Sequence, residues 1–248
     1  MTLPSEFLDR AIAHRGLHDG SAQLPENSLA ALDAAIGQGF GIEIDLQLSA
    51  DGHAVMFHDD TLDRMTEAAG HVADRHAEDL GALALFGGSE TIPTLAEVLD
   101  VVDARAPLLI ELKDQTARPG GAHGPLEAAT AAALKGYDGP VAIMSFNPTM
   151  VHAMAELAPE VPRGLTGHTF AHPDLAASDL ADLNNYAAFD PAGASFVSHR
   201  WQDLETTAIE RLKARGVPIL CWTVKSAADE VAARRIADNI TFEGYLPS

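Results

Sequence analysis

Polar and apolar residues alternate along residues 41–48, Gly-Ile-Glu-Ile-Asp-Leu-Gln-Leu. Glu43, Asp45 and Gln47 therefore share one face of a predicted strand, because successive side chains of a strand point to opposite sides. Parallel strands of a closed sheet are usually apolar on both faces, so two adjacent inward carboxylates would repel each other and lose hydration. A divalent cation between them is the simplest resolution. A strand at the edge of a sheet, with one face in water, would account for the same pattern.

A third carboxylate follows a purely apolar run, Leu108-Leu109-Ile110, which leads into Glu111 and Lys113 on one face of another predicted strand. In sequential strands of a barrel, Glu111 converges on Glu43 and Asp45. Three oxygen donors without clustered Cys or His suit Mg²⁺ or Ca²⁺ better than Zn²⁺. The sequence therefore predicts a metal site formed by these carboxylates. The alternative for Glu111 and Lys113 is a surface ion pair, worth about 0 to 1 kcal/mol.

Two histidines end extended segments near these carboxylates in sequence. His14 ends the predicted first strand, and His58 closes the run Val55-Met56-Phe57-His58. Either histidine alone is more commonly incidental. Together they supply two imidazoles that can act as base and acid near neutral pH, which cleavage of a phosphate ester with an alkoxide leaving group needs. Asp59 or Asp60 either orients the His58 ring or belongs to a turn.

Basic and aromatic residues lie next to these groups. Arg15 and Lys113 are candidate phosphate contacts, Arg15 as a planar fork and Lys113 as a point charge. Phe146 and Trp222 lie at predicted strand ends, where they are candidates to line a pocket for the alcohol part of a substrate. Ordinary packing in the core or at the rim of a barrel is at least as common for such aromatic residues.

The order and spacing of these motifs resemble the glycerophosphodiester phosphodiesterase family. The motifs are His14-Arg15-Gly16, Pro25-Glu26-Asn27-Ser28, residues 43–48 with Asp51-Gly52, Phe57-His58-Asp59 and Glu111-Leu112-Lys113. The resemblance implies a (β/α)8 barrel with a small inserted lobe, and hydrolysis of glycerophosphodiesters to glycerol 3-phosphate and an alcohol. It covers almost the whole chain, continuing more weakly through Ser145-Phe146-Asn147 and the segment 221–224.

The resemblance also implies roles for individual residues. His14 and His58 are the acid/base pair, Arg15 and Lys113 contact the phosphate, and the metal ligands are Glu43, Asp45 and Glu111. Glu26 and Asn27 help to organise the site, although either also fits a turn or a helix cap. The chain departs from the family pattern at Glu243, where Asp is usual, and at Ser28, which replaces the more common Thr. His199, after the predicted sixth strand, has no assigned role.

Short apolar runs alternate with segments of helical periodicity, which is typical of βα units, and 248 residues match one (β/α)8 domain spanning 1–248. The predicted strands are 11–14, 41–48, 108–112, 141–145, 162–165, 195–198, 218–223 and 239–242. The predicted helices are 28–37, 94–104, 126–134, 148–157, 204–215 and 227–236, with N-caps at Asn27 or Ser28, Thr94, Asn147 and Ser226. Residues 50–92 interrupt this alternation as an insertion after the second strand, in which residues 51–58 are predicted to form a turn and a second extended strand and a polar, irregular stretch follows. Residues 118–125 are predicted to form a mobile loop.

Composition restricts the possible partners. A formal net charge of −20 disfavours nucleic acids and anionic membrane surfaces, which need clustered Lys and Arg. Cys221 is the one cysteine, so no intrachain disulfide can form, and no apolar run approaches the ~18 residues needed to span a bilayer. These features predict a cytoplasmic protein that acts on a small-molecule phosphodiester, without binding nucleic acid or inserting stably into a membrane.

Two other functions fit the same residues. A phospholipase-type barrel enzyme would act on lipid phosphodiesters, although the sequence has no basic amphipathic helix that would bind a membrane. A barrel that binds a phosphorylated metabolite without turnover would need neither imidazole. Activity on water-soluble glycerophosphocholine, compared with micellar lipid, separates these possibilities.

Overall fold

Eight parallel strands close into a barrel in the structure, a computed structural model that describes residues 2–117, 123–171, 173 and 176–247. Closure is complete because β1 (Ile12–Ala13) pairs with both β2 (Gly41–Leu48) and β9 (Asn239–Phe242). The other barrel strands are β4 (Leu108–Leu112), β5 (Val141–Ser145), β6 (Arg163–Gly167), β7 (Phe196–Arg200) and β8 (Ile219–Val224). The predicted (β/α)8 barrel is confirmed. Residues 118–122 of the predicted loop lie outside the described residues.

Most of the helices connect successive barrel strands on the outside of the barrel, while the first precedes β1 and the third lies in the insertion after β2. The helices are α1 (Glu6–Asp9), α2 (Leu29–Gly37), α3 (Ala77–Gly81), α4 (Leu95–Val102), α5 (Pro125–Leu134), α6 (Pro148–Leu157), α7 (Ala177–Asn184), α8 (Thr207–Ala214) and α9 (Ala227–Ala233). Single 3-10 turns occur at Val72–Asp74, Leu85–Gly87, Gln115–Ala117 and Trp201–Asp203. In the described parts of the chain, no helix combines the length and the apolar composition that crossing a membrane requires.

Side-chain caps begin several of these helices, as the sequence predicts. The Ser28 hydroxyl accepts a hydrogen bond from the Ala31 amide, and Thr94 forms a reciprocal capping box with Glu97. Asn147 and Ser226 cap α6 and α9 in the same way. The helix predicted over 94–104 ends early, because residues 103 and 104 adopt left-handed conformations with φ of 44° and 57°.

The fold also contains α1, α3 and α7, for which no helix is predicted, and it has longer strands β6 and β7. None of the residues of α7 is buried in the core. The strands β6 and β7 each extend two residues beyond their predicted ends. These extensions contain the polar residues Thr166 and His199, which are buried in the fold although their type is typical of strand ends.

The insertion between β2 and α4 forms a small lobe with its own apolar core. Its strand, β3 (Ala54–Met56), lies antiparallel to the end of β2. The lobe core consists of Val55, Phe57, Leu62, Met65, Val72, Leu80, Leu85 and Ile92. The segment is therefore an ordered lobe, and the pairing of β3 with the end of β2 attaches it to the barrel.

The barrel interior changes from apolar to polar along its axis. An apolar cluster fills one end and consists of Leu3, Phe7, Ile12, Leu109, Ala142, Met144, Phe196 and Leu220. Asp45 and Glu111 lie farther toward the carboxyl ends of β2 and β4, where (β/α)8 enzymes carry their active sites, and Glu43 lies in register with Leu109 at the border of the apolar cluster. The fold thus places the acidic residues over a closed apolar floor.

His199 lies on β7 on the same face as Val197, which packs in the outer core between the barrel and its helices. Its Nδ1 lies 2.6 Å from the Tyr186 hydroxyl, and its Nε2 lies 3.2 Å from the Asp203 carbonyl oxygen. Burial lowers the pKa of His199 from 6.5 to about 4. This histidine supports the packing of the outer layer and faces away from the carboxylates.

The pH dependence of stability tests this position of His199. Because its folded-state pKa lies below its unfolded value, its contribution is complete above pH 6.5 and is lost as the pH falls toward 4. The loss of unfolding free energy between pH 7 and pH 4.5 should be about 2 kcal/mol smaller in His199→Gln than in wild type. Urea unfolding at both pH values measures it. The exposed His152→Gln serves as control, and an equal loss in all three proteins would contradict the assignment.

Candidate active site

Three buried carboxylates meet at the carboxyl end of β2 and β4. Glu43 and Asp45 follow one another on the inner face of β2, and Asp45 lies in register with Glu111 on β4. An oxygen from each carboxylate lies within 4.8 Å of the others. β2 is flanked on both sides by barrel strands, so the alternative of an edge strand with a wet face is wrong. The donors match those that hard divalent cations prefer, so the triad is a candidate metal site.

The triad consists of three acidic side chains and contains no positive charge that would balance them. Burial raises the pKa of Glu43 well above its ordinary value, and the charges of Asp45 and Glu111 raise it further. Burial also raises the pKa of Glu111. Burial acts in the same direction on Asp45, but the positive charge of Lys113 and its other cationic neighbours outweighs burial and lowers its pKa. Three ionised carboxylates at this depth require a cation between them.

Two basic side chains supply part of the missing positive charge. The Lys113 Nζ lies 2.8 Å from Asp45 Oδ1 and 2.6 Å from Glu111 Oε1. Burial favours its neutral amine, but the two carboxylates raise the pKa of Lys113 above its ordinary value. The Arg15 Nε lies 3.4 Å from Asp45 Oδ2. The pair Glu111–Lys113 is therefore buried, and the alternative of a surface ion pair is wrong.

The His14 ring is held by Glu243, which directly follows β9. This contact is on the side of the ring that faces away from the triad. The His14 Nδ1 lies 2.9 Å from Glu243 Oε2, whereas its Nε2 lies 4.0 Å from Glu43 Oε2. Burial lowers the pKa of His14. The hydrogen bond with His14 lowers the pKa of Glu243 to about 2, so Glu243 is ionised and accepts the Nδ1 proton. The Lys225 Nζ lies 3.2 Å from its other oxygen.

His58 is held in a similar way from the lobe. Its Nδ1 lies 2.6 Å from Asp59 Oδ1. Asp60 does not contact the ring but accepts a hydrogen bond from the Gln47 amide at 3.1 Å, while the same amide donates to the His58 carbonyl oxygen at 3.2 Å. Asp59, and not Asp60, is therefore the residue that orients the imidazole.

The nine residues predicted to act in catalysis, metal binding or substrate binding all line one cavity of about 280 Å³. Phe146 and Trp222 form part of its wall and pack edge to face, with ring centroids 5.6 Å apart. Met144, Thr223 and Thr241 complete the lining. The structure brings the predicted metal ligands, imidazoles, basic residues and aromatic residues together around a space of the size of a small molecule.

The motif at residues 25–28 supports the triad from the β1–α2 loop. The Asn27 Nδ2 donates to Asp45 Oδ2 at 2.9 Å, and its Oδ1 accepts from the Asp45 amide at 3.3 Å. Asn27 is therefore not a helix cap, a role that Ser28 takes. Glu26 Oε1 lies 2.7 Å from Arg15 Nη1. Arg15 and Asn27 adopt left-handed conformations, which such tight loops beside a site tolerate.

Two contacts of the site have little or no sequence signal. Glu243 is visible in sequence as an acidic residue after the last strand, but nothing in the pattern links it to His14, which lies 229 residues away. Arg64 contacts both Glu26 and Asp59 and lies in the part of the lobe that has no periodicity. Only the fold brings these residues to the two histidines.

The fold and the site are those of a phosphodiester-cleaving (β/α)8 enzyme, and comparisons with known proteins agree. The model of the glycerophosphoryl diester phosphodiesterase family matches residues 14–240. The chain is 30% identical over 224 residues to YhdW of Bacillus subtilis, covering 87% of this chain and 86% of the relative. It is 37% identical over 164 residues to a glycerophosphodiester phosphodiesterase of Caldanaerobacter subterraneus, covering 62% and 65%.

Solved structures give the same result. An Oleispira antarctica phosphodiesterase, in complex with its product sn-glycerol-3-phosphate, superposes with a TM-score of 0.76 and 28% identity over 96% of this chain and 93% of that one. The chain belongs to the glycerophosphoryl diester phosphodiesterase family, and with it to the phosphoric diester hydrolases.

Removal of one carboxylate tests the candidate metal site. The substitution Asp45→Asn removes a charged ligand, so the affinity for Mg²⁺ or Ca²⁺ should fall at least about tenfold. Calorimetric titration of each metal into the EDTA-treated, dialysed protein measures the affinity. Asp33→Asn, on the exposed face of α2, makes the same change of charge and should bind as wild type does. Equal affinities for Asp45→Asn and wild type would exclude the triad as the binding site.

Proposed function

We propose that the protein hydrolyses glycerophosphodiesters to glycerol 3-phosphate and an alcohol, with Mg²⁺ or Ca²⁺ held by Glu43, Asp45 and Glu111. The observation that carries the proposal is the meeting of this buried carboxylate triad with two separately anchored imidazoles in one cavity. The glycerol 3-phosphate bound to the Oleispira antarctica relative supports the identity of the product.

The two histidines are suited to opposite proton transfers. Each ring has its Nδ1 held by an ionised carboxylate, Glu243 for His14 and Asp59 for His58, so each directs its Nε2 toward the reaction. One Nε2 takes the proton of the nucleophile, and the other donates a proton to the oxygen of the departing alcohol. Without this donation the alcohol would have to leave as an alkoxide.

The charged residues and the aromatic residues bind different parts of the substrate. Arg15 and Lys113 bind oxygens of the phosphate, which compensates locally for the negative charge of the chain. A divalent cation on the triad would neutralise phosphate charge and polarise its oxygens. With a cation on the triad, Lys113 would be free to exchange its contacts with Asp45 and Glu111 for contacts with the phosphate. Phe146 and Trp222 bind the alcohol part against their rings.

Removal of either imidazole tests the reaction. The release of glycerol 3-phosphate from a panel of glycerophosphodiesters should require Mg²⁺ or Ca²⁺ and stop with EDTA. The substitutions His14→Ala and His58→Ala should each lower kcat by about 10²- to 10⁴-fold, because one proton transfer is lost. His152→Ala, an exposed histidine on α6, is the control. A lack of turnover of every diester in wild type would instead favour a barrel that binds a phosphorylated metabolite.

A second candidate function, cleavage of lipid phosphodiesters, is favoured by one feature. A cavity of about 300 Å³ shares Phe146 with the active site and continues under α7. Its walls are largely apolar and include Leu165, Phe170, Leu183 and Tyr186. An apolar part of a leaving alcohol would fit there better than choline or glycerol would.

Comparison of soluble and lipid substrates separates the two functions. We expect kcat/KM for glycerophosphocholine to exceed that for micellar lysophosphatidylcholine, because the catalytic cavity is small and most of its lining residues are charged or polar. The substitution Leu183→Asp adds a charge to the second cavity and should leave kcat/KM for glycerophosphocholine unchanged. A preference for the micellar substrate that Leu183→Asp abolishes would establish the lipid function instead.

A further inference from the structure

Arg64 connects the inserted lobe to the active site. It lies between Leu62 and Met65, which are buried in the lobe core and fix the local backbone. Its guanidinium donates to Asp59 through Nε at 2.6 Å and Nη2 at 3.0 Å. It also donates to Glu26 through Nη1 at 3.0 Å and Nη2 at 2.7 Å. The guanidinium group therefore donates two hydrogen bonds to each of two carboxylates, one to each oxygen.

Each of the two carboxylates that accept hydrogen bonds from Arg64 also contacts a residue that lines the active-site cavity. Asp59 Oδ1 lies 2.6 Å from the Nδ1 of His58, and Glu26 Oε1 lies 2.7 Å from Arg15 Nη1. A continuous line of charged contacts therefore runs from His58 through Asp59, Arg64 and Glu26 to Arg15. Two guanidinium groups balance two carboxylates along it, so the line adds no net charge to the site.

The contact with Asp59 determines which nitrogen of His58 faces the cavity. An ionised carboxylate only accepts hydrogen bonds, so the ring nitrogen beside it carries the proton. Arg64 occupies Asp59 at both oxygens, which prevents this short side chain from rotating away from the ring. The Nε2 of His58 is then left unprotonated and directed toward the cavity in the neutral imidazole.

We propose that Arg64 is a positioning residue of the reaction, which acts through Asp59 to fix the orientation and tautomer of His58. The role of His58 in turnover rests on the function proposed above, whereas its tautomer does not. Arg64 does not line the cavity itself. Isolated exposed ion pairs contribute little to stability, so the value of this doubly bidentate arrangement lies in geometry.

Steady-state kinetics with glycerophosphocholine test the proposal. The substitution Arg64→Ala should lower kcat at least about tenfold with little change in KM, because Arg15 keeps its contacts with Glu26 and Asp45. Arg64→Lys should also lower kcat, since an ammonium group cannot grip both carboxylates at once. Arg75→Ala removes the same charge from an exposed position in the lobe and should match wild type. An unchanged kcat in both Arg64 variants would overturn the proposal.

The ring nitrogens of His58 give a readout that does not depend on turnover. In the full-length protein labelled with ¹⁵N-histidine, the His58 signals, assigned with His58→Gln, should show the Nδ1–H tautomer in wild type and Arg75→Ala. In Arg64→Ala or Arg64→Lys they should shift toward a mixture of tautomers. An unchanged tautomer in a folded Arg64 variant would overturn the proposal even if kcat fell. If wild type hydrolysed no glycerophosphodiester, the proposed function would fail while this spectrum still decided the role of Arg64.

Discussion

The burial of three carboxylates at the mouth of one barrel is the constraint on which the site depends. Ionised groups taken out of water at this density destabilise the fold unless positive charge compensates them. The chain supplies Lys113 between Asp45 and Glu111 and Arg15 beside them, yet burial still raises the pKa of Glu43 and Glu111. A divalent cation would complete this compensation, which is the physical basis of the metal site proposed above.

A second layer of carboxylates lies nearer solvent. Its members have a different role, because basic side chains already pair with them. Glu243 and Asp59 approach the cavity from opposite elements, β9 and the lobe, and each accepts from the Nδ1 of one histidine. Lys225 and Arg64 in turn hold these carboxylates. The site therefore has two shells of carboxylates. The buried inner shell, Glu43, Asp45 and Glu111, attracts positive charge, and the outer shell, Glu243 and Asp59, orients the imidazoles.

The sequence predicted the inner shell because its signal is local. The alternation through Glu43 and Asp45 and the apolar run before Glu111 follow from strand geometry alone, and their parallel register brings them together. The outer shell is only partly local: Asp59 follows His58 directly in sequence, whereas the contact between His14 and Glu243 spans 229 residues, for which local patterns carry no information. α7 was not predicted either, and none of its residues is buried in the core.

A crystal structure of the protein with Mn²⁺ or Ca²⁺ and glycerol 3-phosphate tests the central claim most directly, since the metal can be located by its anomalous scattering. The account predicts one ion within about 2.0 to 2.6 Å of an oxygen from each of Glu43, Asp45 and Glu111, with a phosphate oxygen among its ligands. The Lys113 amine should have moved from the triad to the phosphate. An ion bound elsewhere, with Lys113 still between Asp45 and Glu111, would contradict the account.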